Sequence, residues 1–261
     1  MQIVNYQKEL DKLIKKIEQG TDEKAPTLFL HSCCAPCSSY VLKYLRKYFA
    51  ITVFYYNPNI SERAEYEKRV EEQKRLIQIY NAQLADKPVN PKAEGFPGYP
   101  IAIVEGDYDC ENFYKFAAPL ANCPEGGERC FLCYELRLRK TAQLAEEGGF
   151  DYFGTTLTIS PLKNAAKLNE IGLKLEQEMS GTKESRQDGM TLGVPKWLVS
   201  DFKKKEGYKQ SIELSHEYNL YRQDFCGCVY SKAERDRISK RSISRIREDN
   251  GENIIVIKRK P

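Results

Sequence analysis

The segment that most limits the fold runs from residue 27 to 56. It holds an apolar run TLFLH, a loop with three cysteines, an amphipathic stretch and a second β-prone run, AITVFYY. Val41, Leu42, Leu45, Tyr48 and Phe49 share one helical face, and Ser38 or Ser39 is placed to cap that helix. Strand, loop, helix and strand within about 35 residues make a βαβ unit. Such units build parallel sheets, and parallel sheets collect ligands at the carboxyl ends of their strands. HSCCAPC and YYNPNI both lie at such ends.

Around this unit the chain reads as further α/β structure. Leu10, Leu13, Ile14 and Ile17 predict a helix ahead of it that closes near Gly20. A helix from about Ser61 to Leu84, rich in charge, presents mostly a solvated face. Lys87 to Pro100 is a Pro- and Gly-containing loop, and AIVEGDYD supplies a short strand. A helix opening near Arg129 carries Cys130 and Cys133 in its first turn, YFGTTLTISP is a strand ending in a Pro turn, and Asn164–Gln177 is helical. Ser180 to Gly207 is polar, and a last helix spans about Gln210–Tyr218. The expected fold is a Rossmann-like parallel-sheet core with a helical C-terminal half. No repeat divides the 261 residues, so one domain is expected: an N-terminal helix (1–25), a core (26–228) and a basic tail (229–261).

No window approaches the roughly 18 apolar residues of a membrane span, and MQIVNYQKELDKL lacks the pattern of a signal peptide. A cytoplasmic protein is expected, and a reducing compartment changes how nine cysteines are read. Seven of them form three tight groups: Cys33, Cys34 and Cys37; Cys130 and Cys133; Cys226 and Cys228. Cys110 and Cys123 stand alone, with no role beyond that of ordinary thiols. The net charge of +4 is also uneven, because residues 229–261 carry +5. Such a tail suits a phosphate backbone but is equally a solvated end.

A strand-to-helix loop holds sulfur in its charged form, because helix-start N–H groups lower thiol pKa. The spacing of Cys33, Cys34 and Cys37 fits neither a radical-enzyme cluster, whose third position would fall on Tyr40, nor a ferredoxin run. In ERCFLCYELR the two-residue gap aims both sulfurs at one centre, while bulky Phe131 and Leu132 argue against a thioredoxin-like pair. Cys34 with Cys33 or Cys37, joined by Cys130 and Cys133, makes a four-sulfur site. In DFCGCVY, Gly227 relieves crowding in a small disulfide ring, which favours a redox pair of Cys226 and Cys228. Zinc and a 4Fe-4S cluster both accept four thiolates, but a redox pair beside them points to electron transfer, which excludes zinc. His31 orients the loop, and His216 adds no triad. Asp107, Asp109, Asp224 and Tyr134 are candidate proton donors by proximity to cysteines. No GxGxxG or P-loop signals a nucleotide cofactor.

HSCCAPCSS, YYNPNI followed by EYEKR, ERCFLCYELRL, FGTTLTISP and LYRQDFCGC together resemble the QueH-type epoxyqueuosine reductases, over roughly residues 26 to 230. The resemblance implies a Rossmann-like, PP-loop/HUP-like core. It also implies the last step of queuosine biosynthesis, the two-electron removal of the epoxide oxygen of epoxyqueuosine at the wobble position of tRNA. It places a 4Fe-4S cluster on Cys33, Cys34, Cys130 and Cys133 and makes Cys226 and Cys228 the redox-active pair. Cys37 becomes the ligand of one additional iron or a proton donor. The substrate would be tRNA carrying epoxyqueuosine, and the electron donor is external. Basic groups of the tail and of the helix after Asn59 would meet phosphates, with a splayed nucleotide stacked on a Tyr or Phe.

Three other readings compete. One is an RNA-binding protein with a four-cysteine zinc site. Another is a PP-loop-like tRNA sulfur-transfer enzyme, since HSCCAPC occupies the turn where such enzymes keep SGGxDS, but the phosphate loop itself is missing. A disulfide oxidoreductase acting on proteins would account for CGC and leave the other five clustered thiols unexplained.

Overall fold

The computed structural model describes residues 4–20, 24–84, 91, 95–183 and 193–249. Helix α1 (Tyr6–Gln19) buries Leu10 and Ile14, is capped by Asn5 and ends at Gly20, as its periodicity predicts. It is followed by β1 (Thr27–Ser32), α2 (Ala35–Leu45) and β2 (Ala50–Tyr55), the predicted βαβ unit. The chain continues through α3 (Arg63–Ala82), β3 (Ala102–Glu105), α4 (Cys110–Ala117) and α5 (Glu128–Glu147). Then come β4 (Tyr152–Thr155), a 3-10 turn over Thr156–Ile159, α6 (Ala165–Lys183), β5 (Lys196–Trp197), α7 (Gly207–Glu217) and α8 (Val229–Asp249).

The five strands are all parallel, in the order β3-β2-β1-β4-β5. From β1 the chain builds outward through β2 to β3, then crosses back to place β4 on the other side of β1. Strand order therefore reverses between β1 and β4, which opens a crevice at their carboxyl ends. Leu30 sits opposite Val53 on one side and Gly154 on the other. Successive residues of β1 serve opposite faces. Leu28 and Leu30 pack with Leu10, Val41, Leu42, Leu76 and Leu214, while Phe29 packs with Leu138, Phe153, Leu168 and Trp197.

Several expectations are corrected. Ser38 and Ser39 do not cap α2; the cap is Cys34, and both serines lie buried one turn deeper. Helix α3 is less solvated than its charge suggests, since Tyr66, Arg69, Val70, Gln73, Leu76, Ile77 and Tyr80 are all buried. The strand read through YFGTTLTISP stops at Thr155, because Thr155 Oγ1 accepts the Leu157 N–H (3.1 Å) and turns the chain. Residues 229–249 of the basic tail are helical; its residues 250–261 lie outside the described residues, as do 87–90 and 92–94 of the Pro/Gly loop. Among the described residues no helix is long and apolar enough to cross a membrane.

Candidate active site

At the reversal point the strands are tied together by His31, which is fully buried. Its Nε2 lies 3.1 Å from the Tyr56 carbonyl, which only accepts, so Nε2 carries the proton. Nδ1 then accepts from Thr155 Oγ1 at 2.9 Å. Burial, with the positive charge of Arg137, drives the imidazole pKa down to about 3, so the ring is neutral. His31 is a brace of the loop, as expected of it.

The next residues turn into α2. Cys34 caps the helix, its sulfur accepting the Cys37 N–H at 3.4 Å. Ser32 and Ser38 Oγ, 2.5 Å apart, both donate to Gln73 Oε1, and Asn57 Nδ2 donates to the Ser32 carbonyl at 2.8 Å. This network fixes the loop so that the sulfurs of Cys33, Cys34 and Cys37 all lie within 4.8 Å of one another. Three thiols this close share charge unequally. Hydrogen bonds from Cys34 and Cys37 hold Cys33 well below the usual thiol range. Burial and the charge on Cys33 push Cys34 up to about 12. Cys37 is raised through its hydrogen bonds to Cys33 and Cys34. A site that lowers the pKa of one sulfur and brings two more within reach suits a soft metal, which replaces the thiol protons.

Cys130 and Cys133 both lie on the expected helix, but not both in its first turn: α5 opens at Glu128, with Cys130 in the first turn and Cys133 in the second. Gly126 N–H donates to Cys130 Sγ at 3.3 Å. Arg129, almost fully buried, anchors the helix start by donating to the carbonyls of Leu120 (2.9 Å), Ala121 (3.0 Å) and Cys123. One turn on, Arg137 donates from Nε to the Cys133 carbonyl (3.2 Å) and from Nη1 to Asn57 Oδ1 (3.4 Å).

The CGC segment is held from both sides. Arg69, paired with Glu65, donates to the carbonyls of Phe225 and Cys226, and Asn59 Nδ2 donates to the Cys226 carbonyl at 3.3 Å. Ser61 donates its N–H to the Gly227 carbonyl (3.0 Å), and its hydroxyl accepts the Val229 N–H (2.9 Å). The sulfurs of Cys226 and Cys228 lie 3.4 Å apart as free thiols. A hydrogen bond from Cys228, with Lys163 nearby, brings Cys226 down to about 5, and Cys228 is raised through the same hydrogen bond. Ser231 seats the pair: its hydroxyl accepts the Cys226 N–H (3.1 Å) and donates to Glu125 Oε2 (3.1 Å), and its N–H donates to Cys228 Sγ (3.3 Å). Glu125 in turn pairs with Lys163 at 3.2 Å. Gly227 has φ +114°, and a Cβ there would stand 2.7 Å from Ile60 Cγ1. Gly227→Ala is therefore expected to destabilise the protein by about 1–3 kcal/mol, measured by urea denaturation.

All three cysteine groups meet in a cavity of about 410 Å³. Cys33, Cys37, Cys130, Cys133, Cys226 and Cys228 line it, with Cys34 behind Cys33. Of the four candidate proton donors, Tyr134 and Asp224 line it, the latter paired with Arg235 at 2.7 Å; Asp107 and Asp109 do not, and Asp109 caps α4. His216 is exposed on α7, and Cys110 donates to the Ile60 carbonyl away from the cavity. Cavity residues that the sequence reading passed over include Asn59, Arg69, Glu125, Arg137 and Lys163. Two signals pointed at them: YNPN ends a strand at the sheet's ligand edge, and Arg137 follows Cys133 by one helical turn.

The sequence profile of the family described as epoxyqueuosine reductase QueH matches residues 28–234, which span every element lining this cavity. The chain belongs to the epoxyqueuosine reductase QueH family. Among QueH relatives, the epoxyqueuosine reductase QueH of Staphylococcus epidermidis (strain ATCC 12228 / FDA PCI 1200) is 38% identical over 232 residues, covering 88% of this chain and 85% of its own. That of Streptococcus pyogenes serotype M1 is 36% identical over 230 residues, covering 88% and 79%. That of Thermotoga maritima (strain ATCC 43589 / DSM 3109 / JCM 10099 / NBRC 100826 / MSB8) is 32% identical over 212 residues, covering 80% and 92%. The QueH profile ends at residue 234, early in α8, so most of the basic helix lies beyond the family match.

Proposed function

We propose that this epoxyqueuosine reductase acts on tRNA carrying epoxyqueuosine, with an iron-sulfur centre and a dithiol in the cavity described above. The observation that carries the reading is the convergence of the three cysteine groups on one cavity. Seven sulfurs exceed the four that a structural zinc site uses. The donor set fits a thiolate-bound 4Fe-4S cluster: Cys33 and Cys34 come from the β1–α2 loop, and Cys130 and Cys133 from α5. Cys37, close to Cys33 and Cys34, is the candidate ligand of an additional iron. Bound there, the two groups would supply electron transfer and Lewis-acid polarisation.

The chain's own residues account for the rest. Two electrons and two protons turn an epoxide into an alkene and water. Cys226 and Cys228 supply the two electrons and, with Cys226 a thiolate, one proton as they close to a disulfide; the second proton comes from the Lys163 ammonium beside Cys226, which solvent recharges, and an external donor restores the dithiol. The bend at Gly227 and the Ser231 hydroxyl keep the sulfurs side by side in the reduced state. Leu157, Ile159, Pro161 and Phe113 line the same space, and so exclude water around the reacting group.

Leu162 (69% exposed) and Tyr208 (38% exposed) also line the cavity, which places them at its mouth. A splayed anticodon nucleotide entering there would lie against the Tyr208 ring. Tyr208→Ala is expected to raise KM for the tRNA about tenfold, the worth of one stacked base, with kcat little changed. The function itself is tested by anaerobic purification, analysis for iron, sulfide and zinc, and nucleoside mass analysis after incubation with epoxyqueuosine-containing tRNA and a reductant. Stoichiometric zinc without iron or sulfide, or no queuosine from the iron-loaded protein, would overturn the proposal.

A further inference from the structure

The cavity wall is unusually basic for a space lined with thiols. Arg69, Arg129, Arg137, Lys163 and Arg222 face it, against the carboxylates of Glu125 and Asp224 alone. Most of these cations have compensation. Arg69 pairs with Glu65, and Lys163 with Glu125. Arg129 spreads its charge over three carbonyls and the ring of Tyr230. Arg222 is exposed. Arg137 is 3% exposed and, like Arg129, has no carboxylate within ion-pair distance among the described residues, but it lacks the three-carbonyl cradle that takes up the charge of Arg129. Among the described residues its hydrogen-bond acceptors are neutral, the Cys133 carbonyl and the Asn57 amide oxygen, the latter at 3.4 Å, and the nearest ring is that of Tyr134, its centroid 5.9 Å away.

Burying a guanidinium without an anion costs several kcal/mol, and Arg137, unlike Arg46, which is buried away from the cavity, lines a space whose thiols can supply the negative charge. Arg137 also bridges the two cysteine groups: it bonds the Cys133 carbonyl and, through the side chain of Asn57, reaches the Ser32 carbonyl beside Cys33. An anion that satisfies it from the cavity side is therefore one held by both groups at once. We propose that Arg137 is the counter-charge of the thiolate-bound iron-sulfur centre and that it raises the centre's reduction potential.

The inference rests on the cofactor reading above and extends it to a positioning residue that touches neither the reacting atoms nor the sulfurs directly. Each one-electron reduction adds one negative charge to the centre. A fixed cation at this range stabilises the reduced form more than the oxidised form, so the potential rises. The same guanidinium, through its bond to the Cys133 carbonyl, fixes the first turns of α5. A purely structural role would therefore be met equally by any residue that keeps that bond.

The experiment is a dithionite titration of the anaerobically reconstituted full-length protein, followed by EPR. It compares wild type, Arg137→Gln and Arg137→Lys, each with iron and sulfide content measured. Arg137→Gln keeps a donor for the Cys133 carbonyl and loses the charge. Its potential is expected to fall by at least a tenfold change in the one-electron equilibrium, about 59 mV, while Arg137→Lys stays near wild type. Full loading with an unmoved potential in Arg137→Gln would overturn the inference alone; a tenfold higher KM for tRNA in that case would assign the guanidinium to a substrate phosphate. If Arg137→Gln fails to hold iron, restoration of iron and sulfide by Arg137→Lys supports the inference, and equal loss in both variants overturns it. Failure of the cofactor reading shows separately, as absence of iron and sulfide from the wild-type protein.

Discussion

Cys226→Ser is expected to abolish the conversion of epoxyqueuosine to queuosine while leaving iron and labile sulfide at wild-type levels. The sulfur of Cys226 carries the charge of the CGC pair, since the Cys228 thiol and the Lys163 ammonium both favour its thiolate. A hydroxyl in its place neither ionises in the working range nor forms a disulfide, so the two electrons are no longer available from this pair. The backbone of the segment is held by Arg69, Asn59 and Ser61 through carbonyl and amide groups, none of which the substitution touches. The Ser variant should therefore fold and load as the wild type does. Cys228→Ser should behave alike, because a disulfide needs both partners. Nucleoside mass analysis measures the activity, and iron and sulfide assays the loading. Loss of iron in Cys226→Ser would make Cys226 a ligand and move the redox role elsewhere.

What the sequence made legible follows from the range of the forces involved. β1 and β2 were readable as continuous apolar runs and α2 as an apolar face at helical spacing, and the cysteine loop was placed at the ligand edge by that order of elements. Two short elements were not. α4 covers eight residues, and β5 only Lys196 and Trp197, held by the main chain of β4 rather than by any pattern of its own. Composition misled in α3, where charge suggested solvent. Arg69 is buried because Glu65 lies one turn before it and the Phe225 and Cys226 carbonyls, more than 150 residues away, accept its remaining protons. The cap of α2 shows the same limit. Cys34 takes a position where Ser is usual, and the sulfur is free to do so only because its neighbours Cys33 and Cys37 converge with it. The candidate ligands were thus visible as residue types, and Arg137 was signalled by its place one turn after Cys133, while Lys163 and Ser231, which act on Cys226 and Cys228, were visible only once the chain was folded.

Asn169→Leu is expected to destabilise the protein strongly. Asn169 is fully buried on α6, and its amide is satisfied four times. Nδ2 donates to the carbonyls of Ala165 (2.8 Å) and Ser200 (2.9 Å), and Oδ1 accepts from Trp197 Nε1 (3.0 Å) and the Ser200 N–H (3.1 Å). The side chain does for residues 197–200 what a neighbouring strand would do, which is why a two-residue β5 can sit at the edge of the sheet. Leucine matches the shape and removes the partners of three groups: the Trp197 indole N–H, the Ser200 N–H and the Ser200 carbonyl. Leaving such groups buried and unpaired costs about 1–3 kcal/mol each, so a loss of about 4 kcal/mol is expected, with Tm lower by roughly 10 °C. Leu173→Ala, on an exposed part of the same helix, should change stability by about 0.5 kcal/mol or less. The damage would also reach the cavity. Ser200 Oγ lies 3.1 Å from Thr158 Oγ1, in the turn that leads to Ile159, Pro161 and Lys163. Thermal unfolding followed by circular dichroism measures the first effect. The second is measured by turnover at a temperature where the variant is still folded; activity equal to wild type there would show that residues 197–200 brace the sheet without positioning the cavity wall.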